Sequence, residues 1–322
     1  MSPRGGIGTV RLAVIALSAA SAATLLLISF APSTAVSSRR HRSHGDTTCP
    51  ILPASNPLNR DISHAPVDPR SAAYIVSIGA AGHLHADFGT NPSYGIPYSV
   101  VGPHQRKVPI RFTEYGQESD PGPYPVPANA PVEGAGEQGD RHVLVLQQGS
   151  CKLYELYAAG HAGNGWEAGS GAVFDLRSNA LRPDGWTSAD AAGLPIFPLL
   201  VRYPEVRAGR IDHALRVTVE RTQRGYIHPA THFAAADSDP SLPPMGLRLR
   251  LKQSFDTSAY HGQALVVLRA LKCYGLIVAD NGSSWYITGA PDPRWSDEDL
   301  NQLKRVPGSA FEAVQTGPVL RH

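Results

Sequence analysis

Proline recurs so often in two stretches of this chain, Cys49 to Pro69 and Glu118 to Gly139, that neither can form a long helix or a central strand. The first reads as an extended path over a surface. The second (ESDPGPYPVPANAPVEGAGEQG) is long for a loop in a compact domain, so it is either functional or draped along a sheet edge. Between and after them, short alternating segments bounded by turn residues read as strands. Tyr94–Gly102 and Lys107–Tyr115 are two; His142–Gln147 and Cys151–Tyr157 form a hairpin around Gln148-Gly149-Ser150, and Ala172–Leu176 follows. With 28 prolines, 31 glycines and one convincing helix, Gly262 to Tyr274, the expected fold is all-β. The form expected is a β-sandwich or jelly-roll-like domain with a few peripheral helices. The alternative is α+β, with the late helix covering a sheet.

Ile211–Arg221 is the clearest long strand, with Ile211, His213, Leu215, Val217 and Val219 on one face and Asp212, Arg216, Thr218 and Glu220 on the other. Leu247, Leu249 and Leu251 alternate with Arg248, Arg250 and Lys252, so one face is apolar and the other cationic. Leu276–Asp280, Asn281-Gly282 and Trp285–Thr288 predict a second hairpin. Ser71–Ile78 predicts a short helix stopped by Gly79, and Ser296 with its acidic followers starts another. Thr187 or Ser188 could cap one helical turn through Asp190, ended by Gly193.

Residues 1–35 combine a basic start (Arg4, Arg11), an apolar run from Leu12 to Ala31 and small residues at Ser33-Thr34-Ala35, the pattern of a cleaved signal peptide. The run is also long enough for an uncleaved anchor, since about 20 residues span a bilayer. Residues 36–48 read as a disordered basic spacer, 49–315 as a single exported globular domain and 316–322 as a tail. Without residues 1–35 the basic side chains fall to the same number as the 27 acidic ones. A neutral chain gives no electrostatic case for nucleic acid. Of the three cysteines, Cys49 and Cys151 are expected to pair in an oxidising compartment, leaving Cys273 free.

No phosphate loop, nucleophile elbow, HExxH or CxxC is present. The first candidate site is Asp140 and His142 at the mouth of the hairpin, with Glu155 and Asp175 on the strands after it. Glu155 shares a mostly apolar row with Cys151, Leu153 and Tyr157, where desolvation would raise a carboxyl toward general-acid use. Paired carboxylates across a groove suit glycoside cleavage. The competing reading is a turn at Asp140-Arg141 and a Glu155 that caps an arginine at the sheet end. Trp186 with Arg177, Asn179 and Arg182 is how a loop grips a sugar, and equally how it pins itself to a sheet. His83, His85 and Asp87 point one way in an extended chain and could share a divalent metal, with His104 or His142 as a fourth ligand. His228 and His232 have helical spacing, but Pro229 argues for a loop; His213 reads as a core histidine.

At GDRHVLVL, CKLYELY, SNALRPDGWTSADAAGLPI and ADNGSSWYITGAPDPRW the chain resembles a group of uncharacterised secreted proteins of soil bacteria, over about Cys49 to Val314. The resemblance implies a single exported domain and carries no activity, fold or catalytic residue. The expected function is that of a secreted carbohydrate-active protein, a glycoside hydrolase using paired carboxylates. The alternatives are a non-catalytic glycan or cell-surface binding module, and a metal-dependent protein. The expected partner is a polysaccharide or glycan, with membrane contact only through an uncleaved N-terminal segment, and no cofactor beyond that metal.

Overall fold

The computed structural model describes residues 48–136 and 139–321. The expected signal or anchor and all of the spacer but Thr48 lie outside the described residues. Among the described residues no helix is long and apolar enough to cross a membrane. Strands dominate, arranged in several mixed sheets with few helices.

The largest sheet runs β1 (His85–Asp87), β12 (Tyr286–Thr288), β9 (Leu215–Val219), β11 (Leu276–Asn281), β10 (Arg248–Leu251), β13 (Phe311–Val314). A second sheet runs β2 (Tyr98–Val101), β4 (Val143–Gln147), β5 (Lys152–Tyr157), β8 (Ser170–Asp175). A third joins β3 (Ile110–Phe112), β7 (Gly165–Ala168) and β6 (Gly160–Ala162). The helices are α1 (Ser71–Ile78), α2 (Tyr203–Arg207), α3 (Gly262–Cys273) and α4 (Asp297–Asn301). At the end of α3, Gly275 takes φ +66°, and a Cβ there would sit 2.1 Å from the Leu249 carbonyl oxygen, so only glycine both stops the helix and lets β10 close in.

The hairpin β4–β5 forms as its alternation predicts, and both of its faces are buried. Leu144, Leu146 and Leu153 join the main core. Val143, Val145, Tyr154 and Leu156 join a smaller core with Trp166 and Ala168 of β7. Each alternate residue thus serves a different core, which is why the strands read as nearly continuous apolar runs.

Leu276–Thr288 is not a hairpin. β9 inserts between its two strands, parallel to β11 and antiparallel to β12. The Asn281-Gly282 turn bonds to β9 instead of closing on itself: Gly282 N–H donates to Val219 O at 3.0 Å, and Trp285 N–H to Thr218 O at 3.2 Å. With strands on both sides, β9 is buried at every residue but the half-buried Thr218, and Arg216 is buried.

The expected cationic face of β10 is also inside, under the first proline-rich stretch. Arg250 Nη1 donates to the carbonyls of Ile62, Ser63 and Ala65 at 2.7, 2.9 and 2.8 Å, and its Nε to Glu312 at 2.8 Å. Arg248 Nη1 donates to Pro57 O at 2.9 Å. An extended segment broken by prolines pairs few of its carbonyls in a ladder, and guanidinium groups satisfy them instead. Cys49, at the start of this stretch, is disulfide-bonded to Cys151, while Cys273 is a free thiol. At the other end, Leu320 and Tyr226 exchange two backbone hydrogen bonds of 2.8 and 3.0 Å, tying residues 316–321 to the body.

Candidate functional site

The segment Thr187–Phe197 (TSADAAGLPIF) runs buried between the six-stranded and four-stranded sheets. A buried loop must find partners for its backbone polar groups. Here both sheets supply them. From β5, the Glu155 carboxylate accepts Ile196 N–H at 2.9 and 3.0 Å and Phe197 N–H at 2.9 Å. From β8, Ser170 Oγ donates to Ser188 O at 2.7 Å, and His142, just before β4, bonds Ala189 O through Nε2 at 2.8 Å. On the far side Ala192 N–H donates to Ala279 O of β11 at 3.0 Å. The expected helical turn is replaced by a tight turn in which Ser188 Oγ accepts Asp190 N–H at 2.9 Å and Gly193 N–H donates to Asp190 O at 2.9 Å. Gly193 has φ +72°, and a Cβ would lie 2.2 Å from Thr231 Oγ1, so the turn admits no larger residue without rearrangement.

This turn presents Asp190, which is fully buried, to Arg216 of β9. The pair is bidentate, Nε to Oδ2 at 3.1 Å and Nη2 to Oδ1 at 3.0 Å. The same Nη2 reaches Asp280 Oδ2 at 2.8 Å, and Nη1 donates to Thr288 Oγ1 at 2.9 Å. Asp280 gets there through a bulge. The β9–β11 register slips between Val278 and Asp280, bringing Asp280 level with Thr218, on the side of β9 that carries Arg216. Two carboxylates therefore share one guanidinium. Asp190 has no exposed side-chain surface, whereas Asp280 keeps 21% of its own. Burial pushes the Asp280 carboxyl well up from the ordinary carboxylate range; Arg216 opposes this and the Asp190 charge adds to it. The net effect raises Asp280 to about 7, which favours its protonated form far more than in an ordinary aspartate.

Asp280 opens on a cavity of about 180 Å³. Asp140, Tyr115, Tyr157, Thr187 and His232 help wall it. His232 Nδ1 lies 2.7 Å from Ala191 O, a carbonyl acceptor, which assigns a proton to Nδ1. The cavity thus offers two carboxyls, an imidazole and two phenol rings.

Of the candidate site residues singled out by sequence, Asp140 and His232 reach this cavity; Asp140 is exposed at the wall. Glu155 and Asp175 are not brought together. Across the β5–β8 pair, Glu155 lies opposite Ala172 and Asp175 opposite Lys152, so the two carboxyls point from opposite faces of the sheet. Glu155 is fully buried, and burial pushes its carboxyl up to about 7 against the pull of the two backbone N–H donors. Its place under Ile196 and Phe197 is that of a fastener. Asp175 is exposed and accepts Arg177 N–H at 2.9 Å.

The Trp186 loop pins itself. Arg177 Nη2 donates to Gly149 O at 2.7 Å and Asn179 Nδ2 to Ser55 Oγ at 2.9 Å. Arg182 bonds Asp120, Glu118 O and Thr187 O while its guanidinium covers the Trp186 ring at 5.6 Å. Among the described residues no group of three His, Cys, Asp or Glu side chains is placed to hold a metal ion, the trio His83, His85 and Asp87 included. His85 instead stacks on Tyr286 at 4.1 Å, and His83 is exposed. His228 bonds Asp184 at 2.7 Å, and His213 is a buried partner of Glu205 at 3.2 Å.

His142 is buried with both ring nitrogens facing acceptors, Glu133 at 2.5 Å and Ala189 O at 2.8 Å, which only the imidazolium satisfies. Burial opposes the charge, but Glu133 overcomes it and lifts His142 to about 9. A histidine raised on folding contributes stability that is full below its ordinary value near 6.5 and is lost as pH climbs through the folded value. His142→Gln is therefore expected to lose stability most strongly at pH 6, with the gap to wild type narrowing between pH 7 and 10 in urea titrations. A gap that is constant with pH would contradict the buried imidazolium.

Asp190, Arg216 and Asp280 escaped the sequence reading. Their signal was an acid in each of two apolar runs, SADAAGLPIF and LIVAD, and an arginine on a mostly buried strand. Comparison with protein-family models, curated proteins and solved structures finds no match for this chain.

Proposed function

We propose that the protein is a secreted carbohydrate-active enzyme, a glycoside hydrolase whose chemistry sits in the Asp280–Asp140 cavity. The observation that carries this reading is a largely buried Asp280 that faces the cavity beside Asp190; burial and the Asp190 charge raise its carboxyl against the pull of the shared Arg216. A protonated Asp280 supplies the general acid for the departing glycosidic oxygen, and Asp140 acts as base or nucleophile across the site. Tyr115 and Tyr157 give rings for a sugar face. At about 180 Å³ the cavity is smaller than the ~300 Å³ at which drug-sized pockets begin, which favours removal of one terminal sugar over cleavage within a chain. The disulfide fits an oxidising, extracellular setting.

The test is incubation of the purified protein with plant, fungal and bacterial polysaccharides and their oligosaccharides, reading released sugar and pull-down from the same tubes. Monosaccharide release lost in Asp140→Asn supports the enzyme. Saturable binding without product makes the cavity that of a glycan-binding module. The absence of both release and binding would overturn the carbohydrate reading.

A further inference from the structure

Five arginines are buried among the described residues: Arg182, Arg202, Arg216, Arg248 and Arg250. Four have a carboxylate at bonding distance, respectively Asp120, Glu205, Asp190 with Asp280, and Glu312. Arg248 has none. It is 2% exposed, gives Nη1 and Nη2 to the carbonyls of Pro57 and Tyr274, and leaves Nε with no hydrogen-bond partner. Burial and the neighbouring charge of Arg60 both act against its protonated form. A buried guanidinium without a counter-ion is costly, and proteins bury charges paired.

Arg248 lies in the wall of a cavity of about 900 Å³, which the exposed Arg60 also lines. No ion pair holds Arg60 among the described residues. His64, His228 and Asn179 add polar groups, and the one carboxylate in the wall, Asp61, is turned to the Ser63 N–H at 2.7 Å. This cavity shares no residue with the Asp280 cavity. We infer that it is a binding site for an oxyanion, a carboxylate or sulfate group that supplies the counter-charge Arg248 lacks. The size is that of a pocket for a small organic anion, such as an acidic sugar, with Arg60 meeting the anion from the solvent side.

The experiment is a thermal-shift titration of the purified protein with D-galacturonate and with sodium sulfate at constant ionic strength, with D-galactose as the neutral control. It reads no turnover, so it stands or falls apart from the glycosidase reading. The expected result is a saturable rise in Tm with at least one anion and none with galactose. Tighter binding of galacturonate than sulfate assigns the site to an acidic sugar, and the reverse assigns it to an inorganic anion. Arg60→Ala, an exposed change that leaves the fold intact, is expected to weaken the anion Kd at least five-fold in order of magnitude, roughly one charge-assisted contact. Arg248→Met is expected to lose the shift. No saturable shift with either anion, or an unchanged Kd in Arg60→Ala together with a retained shift in any folded Arg248→Met, would overturn the site.

Discussion

Arg216→Met is expected to lower the stability of the protein by about 3–5 kcal/mol, the cost of stripping one partner from a buried ion pair. Its guanidinium is the only cation at bonding distance from both Asp190 and Asp280 among the described residues, and Asp190 has no access to water with which to replace it. The loss should shrink as pH falls, because carboxyls left without Arg216 can take up protons. Replacing Asp190 and Arg216 together by apolar residues should recover much of it, since the pair is then removed whole and not broken. Urea denaturation at pH 5 and pH 8 measures both effects. A loss below about 1 kcal/mol at pH 8 would mean that the cluster is less buried or less charged than described.

Asp280→Asn carries the second large effect. If Asp280 is the general acid, sugar release should drop by about 10²–10⁴-fold. The fold should hold, because the amide oxygen can still accept from Arg216. Its sign with pH is also set. A carboxyl raised in the folded state contributes stability at low pH that is lost as pH rises through its folded value. Asp280→Asn should therefore be neutral or stabilising at pH 8 and mildly destabilising near pH 4. In the wild type, activity should fall on the alkaline side as Asp280 loses its proton. Full activity in Asp280→Asn would remove this carboxyl from the reaction.

Strands β2 to β5 and β8 to β12, α1, the α3 helix and the Cys49–Cys151 bridge can be read from alternation, glycine stops and compartment, whereas β1, β6, β7 and β13 carry no alternation that announces them. What could not be read is long-range. The Asn281-Gly282 turn looks like a hairpin, yet a strand some sixty residues earlier slides between its arms, and nothing local announces that. Arg216, Arg248 and Arg250 look like solvent faces of amphipathic strands. They are buried because the loop Thr187–Phe197 and the proline-rich stretch after Cys49 lie over them, each bringing backbone or carboxyl groups that need donors. Glu155 sits in an apolar row with a raised carboxyl, as its sequence neighbours predict, but desolvation alone does not separate a catalytic acid from one that fastens a buried loop. The distinction came from where its oxygens point: at two backbone N–H groups, not at a cavity. The bulge after Val278, which aims Asp280, has no sequence signature in a strand of small apolar residues.

The proposed chemistry requires a proton on Asp280 in the Asp190–Arg216–Asp280 cluster, and carboxyl carbon NMR can see it. With aspartate labelled at Cγ, the resonance that disappears in Asp280→Asn should titrate in the wild type far above the ordinary aspartate value near 3.9. It should also move when Asp190 is replaced by asparagine. If that resonance instead titrates near 4 or below, Asp280 is a plain ionised partner of Arg216, and the cavity holds no acid at neutral pH.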